Sequence, residues 1–448
     1  MVLPFLLLLS SCDKYLDIEP KGKRLLKTAN DFDLWLNSGT LMQAVPNELN
    51  LLEDNVDDIY ITLPLASSDK RVYTWQPQYS DDPASSPVIW KDFYEAIYYY
   101  NTVLLGIDEA TGSATQKKSL KAEALLGRAF SYLYLVNLYG KSYNATTAGT
   151  DLAVPFVVSN DLNVSTPARN TVKEIYDHII ADASAALPDL PKDNSQNRFR
   201  GTVAGAYSVL ARTYLYKGDY DNAAKNAQLA LDNGQTAGLD FSTMSGPSSI
   251  PTLFTRPGAI YARLLKTTFT QYTPTLAFLK TFDTKDLRLA FYYVNLGNYS
   301  FQKRGDVVHL GIGATYSGAY PNCGTSVEEM RLILAEAAAR ANDLTKALDQ
   351  LDLVRKTRFK PADYQKYSST VQADVLQKIL TERTFELAYD GMRWFDMKRL
   401  DAEGRIPTVT RYDGQGNVIA TLPPHSDKYT LQIPLQVMYF NPGWPQNP

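Results

Sequence analysis

The sequence predicts a mainly α protein: tetratricopeptide-like helix pairs forming a spine, with long inserted loops and a few short strands. Three observations predict it. A strong tetratricopeptide repeat lies at 210–231, a weaker copy lies at 328–358, and long unlike segments separate the helical stretches. The strong copy reads Leu210-Ala211, Tyr214, Gly218-Asp219-Tyr220, Ala223, Ala227 and Ala230-Leu231. Only the last aromatic of that pattern is replaced, by Ala227. Small residues at a crossing let two helices approach closely, and Gly218 permits the sharp turn between them. The second copy runs through Leu334-Ala335, Ala338, Asn342-Asp343-Leu344, Ala347, Leu351 and Val354. A regular solenoid repeats about every 34 residues without gaps, so about three or four helix pairs are read as a spine that carries insertions.

The elements follow in order. Val2–Leu9 is an apolar run that ends through Leu9-Ser10-Ser11-Cys12. An apolar stretch of this length followed by small residues is a secretory signal, here residues 1–11. A Cys just after the cut is the pattern of a bacterial lipoprotein, acylated at Cys12. The rival reading makes Met1–Ser11 a buried strand or the start of a core helix. No Lys or Arg precedes the run, whereas a secretory n-region is basic, which would place the true start upstream of Met1. Acylation would anchor the chain without spanning the membrane, because each buried methylene is worth about 0.8 kcal/mol. No other stretch approaches the roughly 18 consecutive apolar residues of a spanning helix.

Residues 12–448 then read as one body, with an N-terminal part at about 12–235 packed on a C-terminal part at about 236–448. Tyr73–Pro87 is loop-like, broken by Pro77, Asp81-Asp82-Pro83 and Pro87. Phe93–Ile107 is an apolar, Tyr-rich helix after Trp90, a residue expected in the core. Leu120–Tyr139 carries Ala122, Ala129, Leu133 and Val136 on one stripe and closes at Gly140. Val172–Leu187 repeats that spacing with Ile175, Ile179 and Ala183, and Thr171 with Glu174 forms a capping box. Gly238–Tyr272 is irregular with short strand potential. Tyr412-Asp413-Gly414-Gln415-Gly416-Asn417 is a hairpin turn between Thr408–Arg411 and Val418–Leu422. The Pro- and Asn-rich tail, Leu431–Pro448, is expected to lie extended over the body.

Composition narrows the chemistry. The chain has 448 residues, 45% hydrophobic and 21% charged, with formal net charge −3. A nucleic-acid partner is therefore not expected, since phosphates call for clustered Lys and Arg. With Cys12 acylated, Cys323 stands alone, which excludes a disulfide framework and a Cys-based zinc site. Tyr outnumbers Phe 30 to 17, which suits a wet surface of amphipathic rings, although many Tyr also suit a core. His178, His309 and His425 are far apart and outside metal-ligand spacing. Gly311-Ile312-Gly313 lacks the third Gly of a dinucleotide loop, and no nucleophile elbow or phosphate loop occurs. Asp54-Asn55-Val56-Asp57-Asp58 lacks the Gly and distal Glu of a calcium loop and reads as a solvated turn. No cofactor and no metal are expected.

A second motif closes the chain. Glu382 and Glu386 are four apart on one helical face, with Arg383 between them. Asp390-Gly391 breaks that helix. Arg393, Asp396 and Arg399 recur at three-residue spacing on the next helix, with Trp394 and Phe395 turned to the core. The carboxylates could be a catalytic pair or a buried ion-pair network. The network is favoured, because an acid and base flanking a substrate are drawn from opposite walls of a cleft.

Three segments then converge: Cys12-Asp13-Lys14-Tyr15-Leu16-Asp17-Ile18-Glu19-Pro20-Lys21-Gly22, the motif from Glu382 to Arg399, and Ile433-Pro434 with Asn441-Pro442-Gly443-Trp444-Pro445-Gln446-Asn447-Pro448. Together they resemble the RagB/SusD family of surface nutrient-binding lipoproteins, over essentially the whole mature chain. The resemblance implies a SusD-like fold on tetratricopeptide-like pairs and a location on the outer membrane, lipid-anchored at the extracellular face. It also implies capture of oligosaccharides or other nutrients for a SusC-like TonB-dependent transporter, without cleavage and with no catalytic residue. Ligand contacts are expected from loops near 73–89 and 298–322. The first offers Tyr73, Trp75, Gln76, Tyr79, Asp81 and Asp82; the second offers Tyr299, His309, Tyr316, Tyr320 and Asn322. Sugar sites pair aromatic platforms with amides, carboxylates and Arg, and Trp75 is the first candidate platform. The rival functions are a surface glycoside hydrolase and a tetratricopeptide scaffold that binds peptides or proteins.

Overall fold

A computed structural model of the chain describes residues 26–57, 67–87, 89–266, 271–295, 301–304, 307–310, 312–315, 321–413 and 416–448. The signal segment 1–11, Cys12, Tyr299, Tyr316 and Tyr320 lie outside the described residues.

Helix α1 (Ala29–Leu36) begins at a reciprocal capping box between Thr28 and Asp31, and α2 (Ser68–Tyr73) begins at Ser67, which accepts from the Lys70 N–H. The spine starts with α3 (Trp90–Gly106) and α4 (Ala114–Tyr139). Every residue of α4 from Leu126 to Tyr139 is buried, as expected of a helix enclosed on all sides. Gly127 marks where α3 crosses it: a Cβ there would collide with the Tyr100 ring. Arg128 of α4 then fixes α5 (Val172–Ala186), donating to both Asp182 carboxylate oxygens at 2.8 and 2.9 Å and to Asn101 of α3 at 3.0 Å. The predicted capping box of α5, Thr171 with Glu174, is present.

The strong repeat forms α6 (Val203–Lys217) and α7 (Tyr220–Asp232). Gly218 turns between them at φ 77, a left-handed conformation that costs a side-chain-bearing residue energy. Ala211, Ala223, Ala227 and Ala230 are wholly buried where the helices meet. The weaker copy forms α8 (Val327–Arg340) and α9 (Leu344–Arg355), and Asn342 takes the left-handed turn at φ 61 where the first copy uses Gly. Helix α7 packs on α8, so the copies abut although about a hundred residues of chain separate them. Short strands are inserted between. Val56–Asp57, Gln271–Pro274, Ile312–Thr315 and Tyr293–Asn295 make an antiparallel sheet in that order. Val409–Tyr412 pairs with Val418–Leu422 as the predicted hairpin.

The closing motif spans α10 (Gln372–Glu386) and α11 (Arg393–Asp401), separated at Gly391, whose φ is 73 and whose N–H donates to Asn50 at 2.9 Å. Glu382 and Glu386 belong to a buried ion-pair network. The fully buried Arg288 reaches Asp286 and Glu382 at 2.6 Å and Glu386 at 3.0 Å. Arg355 supports Glu382 at 3.2 Å, and Arg358 joins Glu386 to Glu328. A second chain of pairs alternates in sign: Arg212, Glu329, Arg383, Asp396, Arg399, Glu336, Arg340 and Glu403, with successive contacts of 2.6, 3.6, 2.8, 2.8, 2.6, 2.9 and 2.7 Å. It threads α6, α8, α10 and α11. Trp394 and Phe395 are buried, as read from the sequence.

Two expectations are corrected, and a third, open between surface and core, is narrowed. Asp54–Asp57 is no solvated turn: Asn55, Val56 and Asp57 are buried, and Asp54 receives a two-point ion pair from Arg393 at 2.8 and 2.6 Å. That cation holds the Asp54 carboxyl below the usual range against the burial that would raise it. The tail is not wholly extended, since it forms helix α12 (Leu435–Phe440). Much of the Tyr excess is core: Tyr73, Tyr132, Tyr134, Tyr139, Tyr176 and Tyr261 are among the largest fully buried side chains.

Candidate functional site

The loop after α2 and the tail at α12 together enclose a groove of about 490 Å³. The loop is shaped from its first residue. Trp75 turns the chain at φ 52, buries its ring and donates its indole N–H to the Leu52 carbonyl at 3.0 Å. Arg411 lies over the rings of Trp75 and Tyr73 at 4.5 and 4.2 Å from their centroids. Its guanidinium is spent on the carbonyls of Leu51, Glu53, Val56 and Tyr73. Trp75 and Tyr73 are therefore core residues, which corrects their assignment as ligand platforms: the cation stacked on them satisfies the faces a sugar would use.

Beyond Trp75 the loop turns outward. Asp82 accepts from the Ala84 N–H at 2.9 Å and Ser80 from the Asp82 N–H at 3.1 Å, local turns that leave side chains pointing into the groove. Gln78 ties the loop to the tail, donating to Gln432 and to the Ile433 carbonyl at 3.0 Å each and accepting from the Leu435 N–H at 3.1 Å. Gln436 closes the far edge by donating to the Ala84 carbonyl at 3.2 Å.

Predicted site residues Tyr79 and Asp81 do line this groove, as do Asp82 and the unpredicted Arg71, Gln432 and Gln436. Asp81 pairs with both terminal nitrogens of Arg71, one contact at 2.8 Å. The hydrogen bonds from Arg71 hold the Asp81 carboxyl below its usual range, so it stays an acceptor. Tyr79 is half-buried, and desolvation pushes its hydroxyl up, so it stays a neutral donor. With Gln78 committed to the tail, a planar guanidinium, two carboxylates, the amides of Gln432 and Gln436 and a phenol remain on a fixed frame to bracket a polyhydroxylated ring.

Asn322 is elsewhere. Its oxygen accepts from the N–H groups of Arg263 and Gly324 at 3.1 and 3.0 Å, and its amide donates to the Thr325 carbonyl at 3.0 Å. That commits the side chain to holding backbone, which corrects its assignment to the ligand. Arg71 was missed because ten residues separate it from Asp81, and only the loop's return makes them partners. Gln432 and Gln436 flank the quoted Ile433-Pro434, which was the available signal.

An acid for glycoside cleavage needs a raised carboxyl in the cleft. Burial lifts Glu48 to about 7 and pushes up Glu53, Asp69, Glu328 and Asp390, and none of the five lines the groove. Among the described residues, no group of three or more His, Cys, Asp or Glu side chains is placed to hold a metal ion. No helix among them is long and apolar enough to cross a membrane.

Comparison with known proteins adds the following. A SusD-like family profile described as "Starch-binding associating with outer membrane" matches residues 14–215, and the profile described as "SusD family" matches residues 329–448. The chain is 24% identical over 433 residues to SusD-like protein P2 of Formosa agariphila, covering 82% of this chain and 81% of that protein. Among solved structures it is similar to a SusD superfamily protein of Bacteroides thetaiotaomicron, with TM-score 0.74 and 19% identity over 94% of this chain and 100% of that one. It is also similar to a putative sugar binding protein of Bacteroides vulgatus, with TM-score 0.71 and 23% identity over 95% of this chain and 99% of the other. At these identities the structural likeness speaks for the fold.

Proposed function

The chain belongs to the SusD family, and from that membership we propose that it is a surface-exposed lipoprotein that binds oligosaccharides and delivers them to a SusC-like TonB-dependent outer-membrane transporter. Its lipid would be carried by Cys12 after removal of 1–11, and the parts at 12–235 and 236–448 would move as one body, as the Arg212–Glu329 pair across them favours. The observation that carries the reading is the groove between the 77–87 loop and the tail, where Arg71, Asp81, Tyr79 and the amides of Gln78, Gln432 and Gln436 converge. These groups suit hydroxyl-rich ligands, and none is poised as a general acid.

Two experiments test it. The Cys12→Ala protein, freed of acylation, is titrated by calorimetry against an oligosaccharide panel, and each mixture is analysed for cleavage products. Saturable binding without products, weakened about tenfold or more by Asp81→Ala, is expected. Products would put the hydrolase reading ahead; silence toward every glycan would remove the capture reading. Separately, metabolic labelling with an alkynyl fatty acid should mark the wild type and not Cys12→Ala. Equal labelling of both would end the anchor assignment.

A further inference from the structure

A second groove, of about 550 Å³, lies on the other side of α12. Gln436 lines both grooves, so they meet at one residue on the helix between them. One N–H of its amide goes to the Ala84 carbonyl, and the second N–H and the oxygen remain at the junction. Tyr98 of α3 and Trp444 of the tail line the second groove and are half-buried. Among the described residues, no protein group bonds the Trp444 indole N–H or the Tyr98 hydroxyl, and no other ring stacks on Trp444. Aromatic faces beside unspent donors are what the flat C–H face and hydroxyl rim of a sugar ring require.

The platform is rigid. Arg169 donates to the Pro445 carbonyl at 2.6 Å and to Asn447 at 2.5 Å, and Asn447 donates to the carbonyls of Tyr139 and Leu431 at 2.8 and 2.7 Å. Trp444 is thus held by its neighbours before any ligand arrives, which lowers the ordering cost of binding. Among the described residues no Lys or Arg lines this groove, so it offers an acidic sugar no cation, and its one carboxylate there, Asp161, would repel one.

Building on the capture reading above, we propose that the ligand is an extended, neutral oligosaccharide that crosses α12 at Gln436, with further rings against Trp444 and Tyr98. A helix with its side chains is about 10 Å across, so a mono- or disaccharide fills one groove only and a longer chain reaches the second.

The test uses neutral α-glucan, β-glucan, xylan and mannan series, each from disaccharide to hexasaccharide, beside sulfated and uronic-acid oligosaccharides of the same lengths, all titrated by calorimetry. At least one series should gain about tenfold or more in affinity with length, and Trp444→Ala should remove that gain while changing disaccharide binding less than twofold. Tyr98→Ala, on a separate element, should act alike, and unchanged melting of either variant excludes misfolding. Length-independent binding that ignores both variants but weakens in Asp81→Ala would overturn the second groove and leave the capture reading intact. Binding of sulfated or uronic-acid glycans alone would overturn the neutral-chain assignment. Loss of all glycan binding in the wild type would remove both.

Discussion

Arg288 offers the sharpest test of how the closing motif is held. Its side chain is 1% exposed and sits among Asp286, Glu382 and Glu386. Arg288→Met keeps most of the volume and removes the charge. Glu382 would retain Arg355 at 3.2 Å and Glu386 would retain Arg358, whereas Asp286, itself 4% exposed, would lose the one ion-pair partner it has among the described residues. One orphaned buried carboxylate places the cost at about 3–5 kcal/mol near neutral pH. With about 2 cal/mol/K of unfolding entropy per residue, that lowers Tm by roughly 3–5 °C in a chain of this length. The loss should depend on pH. A buried carboxyl without its cation holds a proton more tightly folded than unfolded, so the variant must take up a proton to fold at neutral pH. Its deficit therefore grows as pH rises above the unfolded carboxyl value and shrinks toward pH 4–5. Denaturant melts of both proteins at pH 5 and 7.5 measure this directly. A deficit below about 1 kcal/mol at both values, the size of an exposed pair, would refute the buried-network account.

Other outcomes follow from the same geometry. Trp75→Ala should cost about 3–5 kcal/mol in stability while the folded fraction keeps its glycan affinity; unchanged melting with lost binding would restore Trp75 to the ligand site. Gly218→Ala should cost about 1–2 kcal/mol by backbone strain alone, since nothing lies within 4 Å of the added Cβ, and a neutral result in a urea melt would contradict the left-handed turn. Lys398 is buried, donates to the carbonyls of Asn137 and Gly140, and desolvation lowers its amine to about 7. Between pH 7 and 10 the unfolded state binds a proton there that the folded state lacks, so this group adds stability as pH rises, at up to ~1.4 kcal/mol per unit. Lys398→Met should erase that slope, as seen by comparing melts at pH 7 and 9.5; identical slopes would contradict it.

The spine was legible because its signals are local. Gly218 and Ala223 stand a few residues from the contacts they make, and the Thr171–Glu174 box caps its own helix. Glu382 and Glu386 could be read as a network for the same reason, since their four-residue spacing places both on one face. The groove was legible only in part. Loop chemistry pointed to 73–89, but a single sequence does not say which way a loop side chain turns, and Trp75 went inward because Arg411, over three hundred residues later, covers it. Asp54 was misread by the same blindness, its partner Arg393 being equally remote. The tail's part in both grooves follows from Gln78 and Arg169 pinning it from afar.

The alternating pairs from Arg212 to Glu403 have a mechanical meaning. Sliding any one of α6, α8, α10 or α11 along its neighbour by a turn would pull a buried cation from its carboxylate and bring like charges toward each other. Shear within the spine is therefore stiff, as with meshed gear teeth whose faces attract only in one register. A body built this way transmits a push at one end to the other with little internal give. Any reorientation of these four helices would therefore be a movement of the set as a whole.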